Sequence, residues 1–518
     1  MRRACLGGAL ARRWVFGLGL ALSLGWAAPV AAQLGFDRPP PPAPALPLQL
    51  PVFQQASLAN GMRLVVVERR GLPLVTALLS VQAGHLQDPP GKSGLSELSL
   101  AVLSKGARQG PRVLDAAAIS HAADALGGGL ELSTGALGSR LSMTVMTPQL
   151  DESLALLAAL SRTPTLPKEE LERSRAQMLD ALLLDQTDPA ALAEKLARRI
   201  FWGDAGRGRL ASAQTLARIK LADVQAFCRE QMRPERLTLV LAGDLDLAQG
   251  RVLAQRHFGN WRPAPAATAA TMRARPDPAP AARLDGLPTS VLLDLPGSGQ
   301  SAVLLVAPFV GLATPEPGTA QAEQQALLRA GALANAVLGL GYSSRINQEV
   351  RIKRGLSYGA FSSSESLPGG GMLSVGAQTQ HVNAAEVAGL LRDELQQLGE
   401  TEVTAPELAA RQALLIGELG RQLDSTQGLA ATAAEQLERG EALADLPRQA
   451  EQLYATNAAA VRDFAARFWA GATLRSVVVA DLAAAGAGLL EMFPQAWVIP
   501  VEQLDLEAPG LRKAARRN

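Results

Sequence analysis

Two kinds of hydrophobic spacing alternate along this chain, and the whole alternation occurs twice. Residues 63–68 and 74–81 are apolar, β-branched runs separated by a short turn, the signature of hairpin-like strands. Residues 140–146 place Leu141, Met143 and Val145 at every second position, which predicts a strand. Leu154, Leu156, Leu157 and Leu160 then follow helical spacing and predict an amphipathic helix over 150–160. Pro167 opens a second helix that runs to Leu184. The same order returns later, with a strand over 371–377, a helix over 384–398, and a helix opened by Pro406 and reaching Leu419. Each half also ends alike. A helix over 221–232 leads into the run 237–241, and a helix over 458–469 leads into 476–479. Between the halves, the stretch from Arg262 to Pro288 is rich in Pro and Ala without sustained periodicity, which reads as a linker over 263–287. A repeat of this length means duplicated domains, since solenoid periods are about 20–50 residues. The predicted fold class is α+β, with homologous halves over 52–262 and 288–508, each an antiparallel sheet packed with helices.

Composition narrows the possibilities. Hydrophobic residues make up 48% of the 518, ample for large cores, but aromatics are only 4%, so Leu, Val and Ala must fill them. A formal net charge of +2 is near balance and gives no sign of the basic face or stripe that nucleic acid would call for. The ending over 509–518, with Arg512, Lys513, Arg516 and Arg517, reads as a solvated basic tail. At the other end, Arg2, Arg3, Arg12 and Arg13 precede an apolar stretch over 16–30 and the small-residue site Val30-Ala31-Ala32, the pattern of a secretory signal over 1–32. A membrane anchor would need about 20 apolar residues. A Pro-rich spacer over 33–51 follows as an extended tether. Removing the signal takes Cys5 with it and leaves Cys228 alone, in a helical pattern that suits a buried structural thiol. The expected compartment is the periplasm.

The chemistry should lie after the second strand. Residues 91–106 read G-K-S-G-L-S-E-L-S-L-A-V-L-S-K-G, with a helical apolar face of Leu95, Leu98, Val102 and Leu103. This segment resembles the insulinase/pitrilysin peptidases, relatives of the mitochondrial processing peptidases, whose pattern is G-K-x-G-L-A-H-L-L-E-H-x-L-F-K-G. In that family the two His of H-x-x-E-H bind zinc and the Glu activates water. Here the frame survives without its chemistry. Glu97 stands at the first His, Leu100 at the base and Ala101 at the second His. Ala181 stands at the family's later glutamate ligand and Ser174 at an accessory glutamate. The His residues at 85, 121, 257 and 381 include no i, i+4 pair; His121 and Asp124 are the nearest thing to one, and suit a surface or capping role. The resemblance therefore implies no metal on this chain.

Another family motif is intact. Residues 341–358 read G-Y-S-S-R-I-N-Q-E-V-R-I-K-R-G-L-S-Y, similar to the family's G-x-x-S-R-L-x-x-x-L-R-x-x-x-G-L-x-Y. The resemblance implies that Arg351 and Tyr358 reach into a zinc site to hold the substrate carbonyl and the developing oxyanion. Read without it, Arg351 could pair with a nearby acid and Tyr358 could pack in a core. Residues 126–134 resemble the family's Gly-Gly strand, which adds substrate as a β-strand. That marks Gly128, Gly129, Leu130 and Glu131 as weak substrate-binding candidates, with Glu131 replacing the usual Asn and a plain sheet edge as the alternative. Some relatives divide the work between two similar clamshell subunits, one with H-x-x-E-H and one with only the Arg/Tyr pair. The resemblance points to the second kind: an exported, non-catalytic subunit of a heterodimeric zinc endopeptidase, with zinc in the homologous partner and unfolded peptides as substrate. The alternatives are a silent scaffold or peptide-binding protein of the same fold, and a peptidase with unusual ligands.

Overall fold

The computed structural model describes residues 50–204, 206–262, 286–312, 319–471 and 474–513. The signal segment over 1–32, nearly all of the spacer, nearly all of the linker and residues 514–518 lie outside them. Among the described residues no helix is long and apolar enough to cross a membrane.

The first half contributes β1 (Phe53–Ser57), β2 (Arg63–Glu68), β3 (Leu74–Val81), β4 (Gly106–Gln109), β5 (Arg112–Asp115), β6 (Glu131–Thr134), β7 (Ser139–Met146) and β8 (Leu237–Gly243). The second contributes β9 (Ser290–Asp294), β10 (Ser301–Phe309), β11 (Ala360–Leu367), β12 (Gly370–Thr379), β13 (Arg475–Ala480) and β14 (Trp497–Pro500). Two large sheets result, ordered β1-β2-β8-β3-β7-β6 and β11-β12-β10-β13-β9-β14. The inner order β2-β8-β3-β7-β6 is repeated as β9-β13-β10-β12-β11, so the duplication read from spacing is a duplication of topology. Most neighbours are antiparallel, as expected. The exceptions are β2 with β8 and β9 with β13, parallel pairs that close each half by bringing its last long strand beside an early one, and β14 with β9.

The helices follow the spacing closely: Leu150–Arg162, Lys168–Asp185 and Leu221–Gln231 in one half, Ala384–Glu400, Ala405–Gln422 and Ala458–Phe468 in the other. Each sheet buries one face on its own helices. In the first sheet this is the face of Leu64, Val66, Ala77, Leu79, Leu141 and Met143. The opposite face is covered from the other half. Helix Thr426–Glu438 sets Leu429, Ala430, Ala433 and Leu437 on Val65, Val67, Leu78 and Val240. Reciprocally, helix Pro189–Trp202 sets Leu192, Leu196, Ile200 and Trp202 on Val291, Leu293, Leu304 and Val477. Both exchanged helices start on side-chain caps, Asp188 to the amide of Ala190 and Ser425 to that of Gly428. Burial on two faces explains why β8 and β13 are buried at every position and carry the unbroken apolar runs Leu239–Ala242 and Val477–Ala480 rather than alternating.

The ending departs from the expected solvated tail. Leu511 is fully buried, its carbonyl accepts from the Asp505 amide, and Lys513 donates its amide to the Gln503 carbonyl. Leu511 joins the apolar cluster of Leu192, Ile200, Val291 and Ile499 under helix Pro189–Trp202, while Arg512 and Lys513 stay exposed.

Candidate functional site

The degenerate motif forms helix Leu95–Leu103, packed between Lys168–Asp185, Leu221–Gln231 and edge strand β6. Its start is fixed by Gly94 at φ 94°, where a side chain would come within 2.9 Å of Leu216. Buried Asp88 accepts the amides of Gly94 at 2.8 Å and Ser96 at 2.9 Å, satisfying donors that open every helix. Burial pushes the Asp88 carboxyl above its ordinary value, although these amides pull it down. Asp88→Ala should lower unfolding stability by about 1–3 kcal/mol, since it strands two buried N–H groups. Asp88→Asn keeps an acceptor and sheds the buried charge, so urea denaturation should show a smaller loss.

On this helix Glu97 points to solvent, Ala101 is half-buried and Leu100 is 2% exposed, absorbed into the first core. Ala181 lies on the exposed side of Lys168–Asp185, while Ser174 is buried. Leu100, Ala101 and Ala181 have no donor atoms. Among the described residues no three His, Cys, Asp or Glu side chains gather as a metal site would require. These residues do not fit zinc. Cys228 is buried, its thiol pushed up to about 12 by desolvation, and so is unavailable as a thiolate.

β6 is the outer strand of the first sheet. Gly128 lets the chain pass close to β7, since a Cβ there would lie 2.2 Å from the Thr144 carbonyl oxygen, whereas Gly129 faces open space. Leu130 leans on the first core. Glu131 accepts from Gln427 at 2.6 Å and from Ser142 at 3.3 Å, tying the edge strand to the helix lent by the second half. Its carboxylate is thus engaged on the side covered by that helix, leaving the strand's backbone edge as the surface toward solvent.

The intact motif is built differently. A single helical turn, Arg345–Asn347, runs into a π-helical turn, Gln348–Lys353, the kind of irregularity often found at functional sites. Its other charges are spoken for. Arg345 forms a two-pronged bridge to Glu407 at 2.9 Å, and Glu349 pairs with Lys353 and Arg354, which hold its carboxyl below the ordinary range. Buried Asn347 donates to the Tyr342 carbonyl at 2.6 Å and accepts from the Ala360 amide at 3.3 Å, pinning both ends of the loop. Arg351 is left without a carboxylate partner among the described residues and lies over the Tyr342 ring at 5.3 Å. Tyr358 is 90% exposed. It borders a cavity of about 280 Å³ whose other walls include Gln300, Gln378, Gln380 and Asn383. Tyr342 and these amide side chains escaped the sequence analysis. Tyr342 sits inside the motif itself, but the amides come from strand ends that only folding brings there.

Comparison with known proteins matches residues 64–207 to a model described as insulinase (peptidase family M16) and residues 218–415 to one described as peptidase M16 inactive domain. An uncharacterized zinc protease of Streptomyces coelicolor is 25% identical over 387 residues, covering 73% of this chain and 78% of that protein. The crystal structure of a peptidase M16 inactive domain from Pseudomonas fluorescens matches with a TM-score of 0.71 and 22% identity, over 83% of this chain and 97% of that one. A protease from Helicobacter pylori matches with a TM-score of 0.74 and 18% identity, over 83% and 100%. At these identities the two structures speak to the fold.

Proposed function

Because the chain belongs to the M16 (insulinase) peptidase family, we propose that it is the non-catalytic subunit of an exported, heterodimeric zinc endopeptidase. It supplies Arg351 and Tyr358 to a site whose zinc is held by a homologous H-x-x-E-H partner, and its substrates are unfolded peptides. The observation that carries this reading is an asymmetry. The metal and base positions are occupied by Leu100, Ala101 and Ala181, while Arg351 has no carboxylate partner among the described residues and Tyr358 is exposed. A cation and a phenol held unpaired on a pinned loop are arranged for an incoming oxygen atom. Arg351 brings a fixed charge and a planar fork, and Tyr358 a neutral donor. Together they suit a peptide carbonyl that becomes more negative as it reacts. The neutral amides beside Tyr358 suit the donors and acceptors of a peptide backbone. The expected compartment is the periplasm, reached by the signal segment over 1–32.

The first test is metal content and activity with and without a partner. The purified chain should hold substoichiometric zinc and cleave no peptide. Mixed with an H-x-x-E-H family member from the same organism, it should form a complex with chelator-sensitive cleavage. One tightly held zinc per chain, together with proteolysis by the chain alone, would refute the proposal.

A further inference from the structure

The second half contains its own counterpart of the degenerate zinc cleft, and there the space is open. Helix Thr319–Gly339 packs on Ala405–Gln422 as Leu95–Leu103 packs on Lys168–Asp185. Gln325, Leu328 and Arg329, at i, i+3 and i+4, share one side of helix Thr319–Gly339. All three second-half residues line a cavity of about 280 Å³. Its apolar side includes Leu328, Ala332, Ile416, Leu419 and Leu453.

The charges around it do not cancel locally. Arg439 and Glu441 meet each other at 3.3 Å. Arg329 donates to the neutral Gln452 at 2.9 Å, and no carboxylate among the described residues lies within ion-pair distance of it. Burial lowers its pKa, the sign of a guanidinium short of solvent. Asp445 lines the same cavity at the start of helix Leu446–Tyr454, and its carboxylate has neither a cation nor a hydrogen-bond donor among the described residues. A poorly solvated charge without a partner is unfavourable until one arrives. A guanidinium favours a carboxylate, which it can grip with two N–H groups. A carboxylate at a helix start favours an ammonium group.

We propose that this cavity binds a small zwitterion with an apolar side chain, either a free aliphatic amino acid or a dipeptide. Its carboxylate would meet Arg329, its ammonium group Asp445, and its hydrocarbon the leucine-lined side. The volume lies near the lower end of ligand pockets, about 300 Å³, and so fits one or two residues rather than an extended peptide. The site is separate from Arg351 and Tyr358 and stands whether or not the chain joins a peptidase.

Calorimetric titration of the full chain with four compounds tests this: leucine, Leu-Leu, N-acetyl-leucine (no ammonium) and leucinamide (no carboxylate). Leucine or Leu-Leu should bind, and blocking either end should weaken binding about tenfold or more, the loss expected for a charged hydrogen bond. Tighter binding of Leu-Leu assigns the site to dipeptides, and tighter binding of leucine to free amino acids. Arg329→Gln should weaken leucine and N-acetyl-leucine while leaving leucinamide unchanged. Asp445→Asn should weaken leucine and leucinamide while leaving N-acetyl-leucine unchanged. This crossed pattern distinguishes lost contacts from lost folding, and the four-compound comparison on the unmodified chain decides the matter even if a variant fails to fold. Absence of heat with all four at millimolar concentration, or equal binding of blocked and free forms, overturns the proposal.

Discussion

Tyr358→Phe is expected to lower peptide turnover by the assembled complex about 10²–10³-fold, the usual effect of deleting one donor aimed at a developing oxyanion. The substitution removes one hydroxyl from a side chain that is 90% exposed, so neither folding nor assembly should change. Because the hydroxyl acts mainly as charge develops, kcat should fall and KM should move little. Arg351→Ala should lower kcat comparably and also raise KM, because a fixed cation attracts the carbonyl before reaction as well as during it. Tyr342→Phe is the matched control: the ring that carries Arg351 remains and only a hydroxyl is lost, so turnover should be preserved. The measurement is reconstitution with the H-x-x-E-H partner, with complex formation scored by size and cleavage by a quenched-fluorescence peptide. If Tyr358→Phe and Arg351→Ala assemble and cleave at the unmutated rate, the chain is a scaffold.

The second large effect concerns how the halves hold each other. Glu438→Ala should destabilise the folded chain by about 3–5 kcal/mol, the usual result of removing one partner from a buried ion pair. Glu438 ends the helix lent to the first sheet, and its carboxylate takes Arg140 Nε at 2.8 Å and Nη2 at 2.6 Å, with the Ser80 hydroxyl at 2.7 Å. The side chains of Arg140 and Glu438 are only 22% and 7% exposed. Burial pulls the Arg140 guanidinium down, but hydrogen bonds and charge from Glu438, with charge from Glu435, outweigh it and leave its pKa raised. Gly138 makes the approach possible, since a Cβ there would lie 2.5 Å from the Glu438 carboxyl carbon. Truncating Glu438 leaves that guanidinium without a counter-charge against a sheet. Arg140→Met combined with Glu438→Leu removes both charges and should recover most of the loss. Urea titrations of the three chains read the difference. A Glu438→Ala chain that unfolds at the parent midpoint would show that apolar packing of the exchanged helix suffices alone.

Much of this protein was fixed by local spacing. Alternation gave β7 and β12, helical leucine spacing gave Leu150–Arg162 and Ala384–Glu400, and Pro167 and Pro406 marked the helices after them, because strand and helix periods depend only on near neighbours. The duplicated plan and the candidate pair Arg351 and Tyr358 were legible for the same reason, since each motif lies within one continuous stretch. Other features depended on residues distant in sequence. Helices Pro189–Trp202 and Thr426–Glu438 each show an apolar side, but a single helix does not encode which sheet it will cover, and each covers the sheet of the opposite half. Parallel pairing of β2 with β8 and of β9 with β13 follows from closing each half on itself, not from the strands' own sequences. Nothing in the local sequence of Arg329 or Asp445 sets them apart; only folding lines one cavity with both and leaves each without an opposite charge among the described residues. A sequence records which residues carry charge or hydrocarbon; whether a charge is neutralised is decided by distances of a few ångströms between separate segments, and tertiary packing alone sets those.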